Sequence, residues 1–567
     1  MNGERDLNTL EPLMPPDAAR RPQKLTLHGH TRVDDYYWLR ERENPEVIAY
    51  LEAENAYTRQ MLAHTEALQQ TLYEEMVGRI QETDQSVPEQ IDDYFYYWRV
   101  EEGQEYRIYC RKQGSLDAPE EVLLDLNELA EGHDYLNMGS FEVRPDHQIL
   151  AYSLDTNGAE VYTVFFKDLR TGELLPDRIE NTDYSAEWAT DNRTFFYTTL
   201  DEARRSDKVW RHRLGTPAGD DDLLYHEEDE LFRVYLYRTK DRRYIILLVR
   251  SLETAEAYYV PGNQPDLSFT LVQERTRGVR YEVEHHDERF FMVTNLEAPN
   301  FKLVTAPVAS PGMENWQTLV PHREEVMLDG IELFKRYLVV YERENGLRSI
   351  RIADLQTDTW RTVEFPEVVY TYFENANPEF NTDLLRFTYQ SLTTPDSVYD
   401  YDMATGAREL KKQKAVKNYD PTVYRSERIF AMANDGARIP ISLVYRADLH
   451  QAGQPMPCLL YGYGSYGYSI DPGFNSNRVS LLDRGFIWAI AHIRGGEDLG
   501  RAWYDQGKFL NKRNTFTDFI GCARHLIAEQ YTTPDRLAIM GRSAGGLLTG
   551  AVLNMAPQSP VCPLWTS

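Results

Sequence analysis

Apolar and polar positions along this chain change rhythm twice, and the changes mark its regions. Near the start, Asn44, Pro45 and Glu46 form a helix-initiating signal, with an N-cap residue followed by proline at the first helical position. Val47, Tyr50, Leu51, Tyr57 and Met61 then keep to one side, and Leu68, Leu72, Met76 and Ile80 recur every four residues. Two helices are expected, packed on a partner that periodicity does not identify. From about residue 85 the pattern shortens to strands rich in Tyr, Phe, Val and Ile, separated by polar turns. A polar marker precedes an apolar strand seven times, at Asp92, Asp146, Asp191, Asp241, Asp287, Lys335 and Thr382. Subtracting successive markers gives 54, 45, 50, 46, 48 and 47 residues, a period suited to four-stranded blades arranged radially. The expectation is a seven-bladed β-propeller, with a β-sandwich of coincidental spacing as the alternative.

After a lysine-rich connector near residues 410–417 the rhythm changes again. Residues 429–445 read as a hairpin around Asp435-Gly436, and 458–461 and 486–491 as buried strands of a mostly parallel sheet. Leu526 and Ile527 mark the inner face of a helix, and a strand at 536–540 runs into Gly541-Arg542-Ser543-Ala544-Gly545. A strand that breaks into GxSxG and resumes as a small-residue helix is a nucleophile elbow, which lifts the Ser543 hydroxyl out of the sheet. Strands alternating with helices and ending in an elbow describe an α/β-hydrolase sheet. The expected divisions are an N-terminal helical segment at 1–82, the propeller at 83–412, the hydrolase domain at 413–557 and a tail at 558–567.

Length and charge sharpen this outline. At 567 residues the chain exceeds a single core. A net charge of −29 argues against nucleic acid or an anionic membrane as partner and favours cationic ligands. No window is apolar enough for a membrane span. Cys110, Cys458, Cys522 and Cys562 show neither paired metal-ligand spacing nor a disulfide framework, so packed thiols and a reducing cytoplasm are expected. No cofactor or metal is implied.

Beyond the elbow, Tyr461–Gly467 is a Tyr/Gly loop leaving the first buried strand, where glycines let backbone and a tyrosine hydroxyl approach a ligand. Arg494 to Asp498 follows the next strand, at the end of the sheet where ligands bind. Arg494 could contact substrate, although a structural ion pair is the more ordinary use of such a residue.

Several stretches together carry a resemblance: 36–39 (Tyr-Tyr-Trp-Leu), 50–57, Val77–Ile80 with Ser86–Pro88, Tyr106–Arg111, Leu460–Gly464, His492–Gly496 and Gly541–Gly546. The chain resembles the prolyl oligopeptidase family of serine peptidases, on its branch that cleaves after Arg or Lys. The resemblance implies a seven-bladed propeller capping an α/β-hydrolase domain to which the N-terminal helices belong. It also implies short basic peptides as substrates, with folded proteins excluded. Ser543 matches the family nucleophile, and Tyr463 and the Ala544 amide match its oxyanion donors. Asp471 matches a carboxylate placed near basic substrate side chains, whereas Gly473 stands where a second would be.

In this fold the triad follows the order Ser, Asp, His. After Ser543 there remain 567 − 543 = 24 residues, and none is Asp, Glu or His. His492 and His525 precede the nucleophile, where the resemblance places no triad member. The family likeness stops near Pro557. The expectation is therefore that a frameshift or premature stop has removed the last third or more of the hydrolase domain, leaving an unpaired strand edge.

Overall fold

The computed structural model describes residues 14–451, 453–557 and, as backbone, 562–566. Half of the expected tail, 558–561 and 567, lies outside the described residues. The chain divides into two compact units at Ile80. In the first, β1 (Gln23–Leu27) and β2 (His30–Asp34) form a hairpin, followed by α1 (Pro45–Leu62) and α2 (Glu66–Gly78). The start of α1 is as expected: the Asn44 side chain accepts a hydrogen bond from the Glu46 amide at 3.0 Å, with Pro45 leading the helix.

The second unit holds the repeats and the hydrolase sheet. Each of the seven markers does precede a strand, from Tyr94–Val100 to Leu384–Ser391. The blade count is nevertheless corrected. Residues 84–125 make one five-stranded sheet, and residues 233–413 make four four-stranded sheets, giving five blade-sized sheets. The two repeats between them, residues 137–226, form one seven-stranded sheet, so the seven sequence units are not seven blades. The cause is Leu174–Trp188, a continuous 15-residue strand whose first part pairs with Tyr162–Asp168 and whose second part pairs with Thr194–Leu200. Asn181, in the middle of it, takes φ of 59°, a conformation asparagine tolerates, and the register against Tyr162–Asp168 shifts there, between Ile179 and Thr182. The polar residues around Asn181 are thus absorbed as an irregularity within one ladder.

Polar contacts tie the last repeat to the first: Lys412 Nζ lies 2.6 Å from an Asp84 carboxylate oxygen, and Arg386 donates to the Pro88 carbonyl at 2.7 Å. Others join non-neighbouring sheets. Arg242 pairs with Asp92 at 2.7 Å, and Lys240 pairs with Glu332. They border a cavity of about 520 Å³ lined by residues of several repeats.

The hydrolase sheet has six strands: β3 (Tyr424–Met432), β4 (Arg438–Arg446), β5 (Cys458–Tyr461), β6 (Ile487–Ala491), β7 (Leu537–Arg542) and β8 (Cys562–Thr566). Their order is β3-β4-β6-β5-β7-β8, antiparallel through β4 and β6 and parallel beyond. The β3/β4 hairpin turns at Asp435-Gly436, as its sequence predicts. Strand β7 is not left unpaired, because the backbone of Cys562–Thr566 lies beside it. Leu460, Ile487, Ala489 and Ile539 are fully buried beneath α3 (Arg513–Ala528), which contributes Phe519, Cys522 and Leu526 to the same core. Among the described residues no helix is long and apolar enough to cross a membrane.

Candidate active site

Strand β7 is followed at once by α4 (Ala544–Met555), with Ser543 between them at φ 54° and ψ −118°. A non-glycine residue held there is strained, and such strain persists only where the surroundings fix it. Here the surroundings are two glycines. A Cβ on Gly541 would sit 2.2 Å from the Gly545 carbonyl oxygen, and one on Gly545 would sit 2.9 Å from that of Gly462. The second contact also presses the elbow against the Tyr/Gly loop. Ser543 itself remains exposed.

Tyr463 reaches the elbow from that loop, and its hydroxyl faces Ser543. Burial raises the phenol's pKa, while the serine contact opposes the shift, so a neutral O–H faces the serine. Ala544 leads α4, in the position of a helix amide able to meet an oxyanion. Ser543, Tyr463 and Ala544, the expected nucleophile and oxyanion donors, therefore lie together at the elbow.

The loop is braced from below. Lys512 donates to the Gly464 carbonyl and to Ser465 Oγ at 2.6 Å, and Gly467 N donates to the Gly495 carbonyl at 3.0 Å. Gly495, at φ 104°, could carry no side chain, since a Cβ would stand 2.0 Å from the Gly464 oxygen. Arg494 is engaged by two acids of its own domain. Its Nε and Nη2 donate to Asp518 at 2.8 and 2.6 Å, and Nη1 donates to Asp435 at 2.6 Å. With Arg494 3% and Asp518 0% exposed, this is a buried bidentate pair that fixes the strand end.

Asp471 lies in a cavity of about 440 Å³ between propeller strands and the Tyr463 loop, which Tyr468 joins to Tyr463 through an edge-on ring contact at 5.8 Å. Its carboxylate is already engaged by Arg343, at 2.7 and 3.3 Å. Gly473 packs on Gln390, whose Oε1 would be 2.7 Å from a Cβ there, and a side chain would have to displace it. His492 is committed elsewhere, with Nε2 at 2.8 Å from Ser442 Oγ and Nδ1 at 3.0 Å from Asp498. Cys110, Cys458 and Cys522 are free and buried, and burial pushes the Cys458 thiol up to about 12. Among the described residues no cluster of three His, Cys, Asp or Glu side chains could hold a metal.

Sequence reasoning missed Lys512, Asp518 and the propeller arginines Arg280 and Arg343. Each owes its place to tertiary contact, and no local motif marks it. The spacing of Asp518 within α3 hints at an inward-facing acid, since it shares the apolar face with Cys522 and Leu526.

Comparison with known proteins agrees with this geometry. Residues 16–414 match the model of the prolyl oligopeptidase N-terminal beta-propeller domain, and residues 472–559 match that of the prolyl oligopeptidase family. Dipeptidyl aminopeptidase BI of Pseudoxanthomonas mexicana is 45% identical over 96% of this chain and 78% of its own length. Protease 2 of Moraxella lacunata is 39% identical over 95% and 79%. Among solved structures, oligopeptidase B from Leishmania major superposes with a TM-score of 0.91 at 37% identity, covering 98% of this chain and 82% of that one. Oligopeptidase B from Trypanosoma brucei, in a closed form with covalently bound antipain, gives 0.90 at 36% identity, covering 97% and 82%. With a strained Ser543 at the elbow and a family match running through propeller and hydrolase alike, this chain belongs to the prolyl oligopeptidase family of serine peptidases.

Proposed function

We propose that the chain is an oligopeptidase that hydrolyses short peptides after Arg or Lys through an acyl-enzyme on Ser543. The observation that carries this is the elbow, where Ser543 is held exposed at φ 54° with the Tyr463 hydroxyl facing it. In this reading Ser543 Oγ attacks the scissile carbonyl, and the oxyanion is received by the Tyr463 hydroxyl and the Ala544 amide. The amine leaves with a proton, and water then attacks the acyl group to release the second product. Asp471 faces the cavity beside this point, and the chain's net charge of −29 favours basic peptides at modest salt. Arg494 contributes by holding the loop rather than by touching substrate. Three unpaired buried thiols accord with a reducing cytoplasm.

A second reading rests on the base. None of the residues after Ser543 is Asp, Glu or His, and His492 is occupied. A serine without its base keeps only the residual contribution of oxyanion donors and binding. On this reading a chain in which no base reaches Ser543 binds basic peptides and turns them over poorly. An arginyl chromogenic amide and a fluorophosphonate probe separate the two. The first reading expects turnover and labelling that both vanish in Ser543→Ala. The second expects neither, with peptide binding retained.

A further inference from the structure

We infer that Arg280 is an anchor for a carboxylate carried by the bound peptide, so that the cavity beside Tyr463 reads the peptide's negative end as well as its basic side chain. The inference rests on reading this cavity as the peptide chamber. Nine charged side chains line it, and eight have an ion-pair partner within 4.0 Å. Arg250 pairs with Glu282 at 2.9 Å, and Glu497 pairs with Arg501 at 2.8 Å. Arg343 holds Asp471 at 2.7 Å, and Arg348 holds Glu374 at 2.8 Å, with Asp329 between these two arginines at 3.8 and 4.0 Å. Arg280 is the remaining one: among the described residues its guanidinium meets no carboxylate and donates no hydrogen bond.

Its guanidinium lies over the face of Phe301, 5.2 Å from the ring centroid. That contact leaves the guanidinium's in-plane N–H fork without an acceptor. The residue is nonetheless held firmly. Its amide donates to Asn295 Oδ1 at 2.6 Å, and its carbonyl accepts from Thr294 Oγ1 at 2.8 Å, so the side chain projects from a fixed point. Glu497 and Glu282 are acids whose charge acts on it, and both are already spent on Arg501 and Arg250. A half-buried guanidinium without a counter-ion is costly, and a ligand carboxylate meeting it in a bidentate pair relieves that cost. In a peptide the carboxylate is either the C-terminus or an acidic side chain. An anchor for the C-terminus favours peptides short enough for their end to lie inside the cavity.

Calorimetric titration of the full chain, in a Ser543→Ala background so that peptide is not consumed, tests this. Three pentapeptides containing one arginine are compared: a free acid, its C-terminal amide, and an amide with one added glutamate. The free acid is expected to bind at least tenfold more tightly than the plain amide. That gap should close in Arg280→Met and be partly kept in Arg280→Lys, both confirmed as folded by near-ultraviolet circular dichroism. A glutamyl amide binding as tightly as the free acid, with the same dependence on Arg280, assigns the carboxylate to a side chain and also supports the anchor. Equal affinity for all three peptides, or a gap that survives Arg280→Met, overturns it. No binding of any peptide defeats the chamber reading itself, and the anchor with it.

Discussion

Replacing Arg494 tests the division of labour drawn above, because the same residue could either touch substrate or hold the loop. Arg494→Met keeps much of the aliphatic bulk and removes three side-chain donors, at 2.6 to 2.8 Å, from Asp518 and Asp435. Asp435 is exposed and can be solvated. Asp518 is fully buried and would keep only the backbone amide of residue 494 at 3.2 Å. Removing one partner of a buried pair costs about 3–5 kcal/mol, mostly as the penalty of the stranded charge. At roughly 2–4 °C per kcal/mol for a domain of this size, the hydrolase transition should fall by roughly 10 °C. Thermal unfolding followed by circular dichroism reads this directly. The double variant Arg494→Met/Asp518→Leu should recover most of the loss, since an apolar replacement of a buried pair is often close to neutral. A shift under about 2 °C, or a double variant no better than the single, would refute the structural assignment. Weakened peptide binding at unchanged stability would return Arg494 to the substrate.

Other consequences follow from the same geometry. We predict that Gly541→Ala abolishes fluorophosphonate labelling as completely as Ser543→Ala, because its Cβ would collide with the Gly545 carbonyl at 2.2 Å; retained labelling would show that the elbow relaxes freely. Tyr463→Phe should slow the covalent step about 10²–10³-fold, the usual effect of losing one oxyanion donor, at unchanged melting temperature; a rate within threefold of the parent would count against that role. Burial lowers the Lys512 ammonium to about 8, so above that pH and below its unfolded value near 10.4 the unfolded chain holds the extra proton, and stability gains with rising pH over that window. Lys512→Met should flatten this part of the pH–stability profile, and an unaltered slope would be contrary evidence. Asn44→Ala should cost about 1 kcal/mol through loss of the α1 cap, measured as a lowered midpoint in urea.

What could be read from sequence was what local chemistry determines. The α1 start needs only Asn44 and Pro45, and the elbow needs only Gly541, Ser543 and Gly545 behind a strand, so both were legible. Tyr463 was legible as part of a glycine-rich loop, although its approach to Ser543 depends on Gly545 and Gly462 touching. The blade count was not legible. Markers such as Asp146 and Asp191 count turns, whereas sheets are delimited by where hydrogen bonding stops, and Asn181 bends the chain without stopping it. Arg343, which holds Asp471 from 128 residues away, was not legible, because nothing near Asp471 in sequence announces it. Arg280 is conspicuous only by the partners it lacks, which requires every neighbouring charge to be located first.

The unbroken strand Leu174–Trp188 has a consequence for how the ring of repeats could be cut and rejoined. Where a chain leaves one sheet before entering the next, a nick or a relocated terminus severs few backbone hydrogen bonds, and such joints are where circular permutation tends to succeed. Within Leu174–Trp188 a break would interrupt one ladder to Tyr162–Asp168 and another to Thr194–Leu200. Residues 137–226 should therefore exchange their amide hydrogens as one cooperative block. New termini placed at the junctions beyond residue 226 should be tolerated far better than termini placed near residue 181.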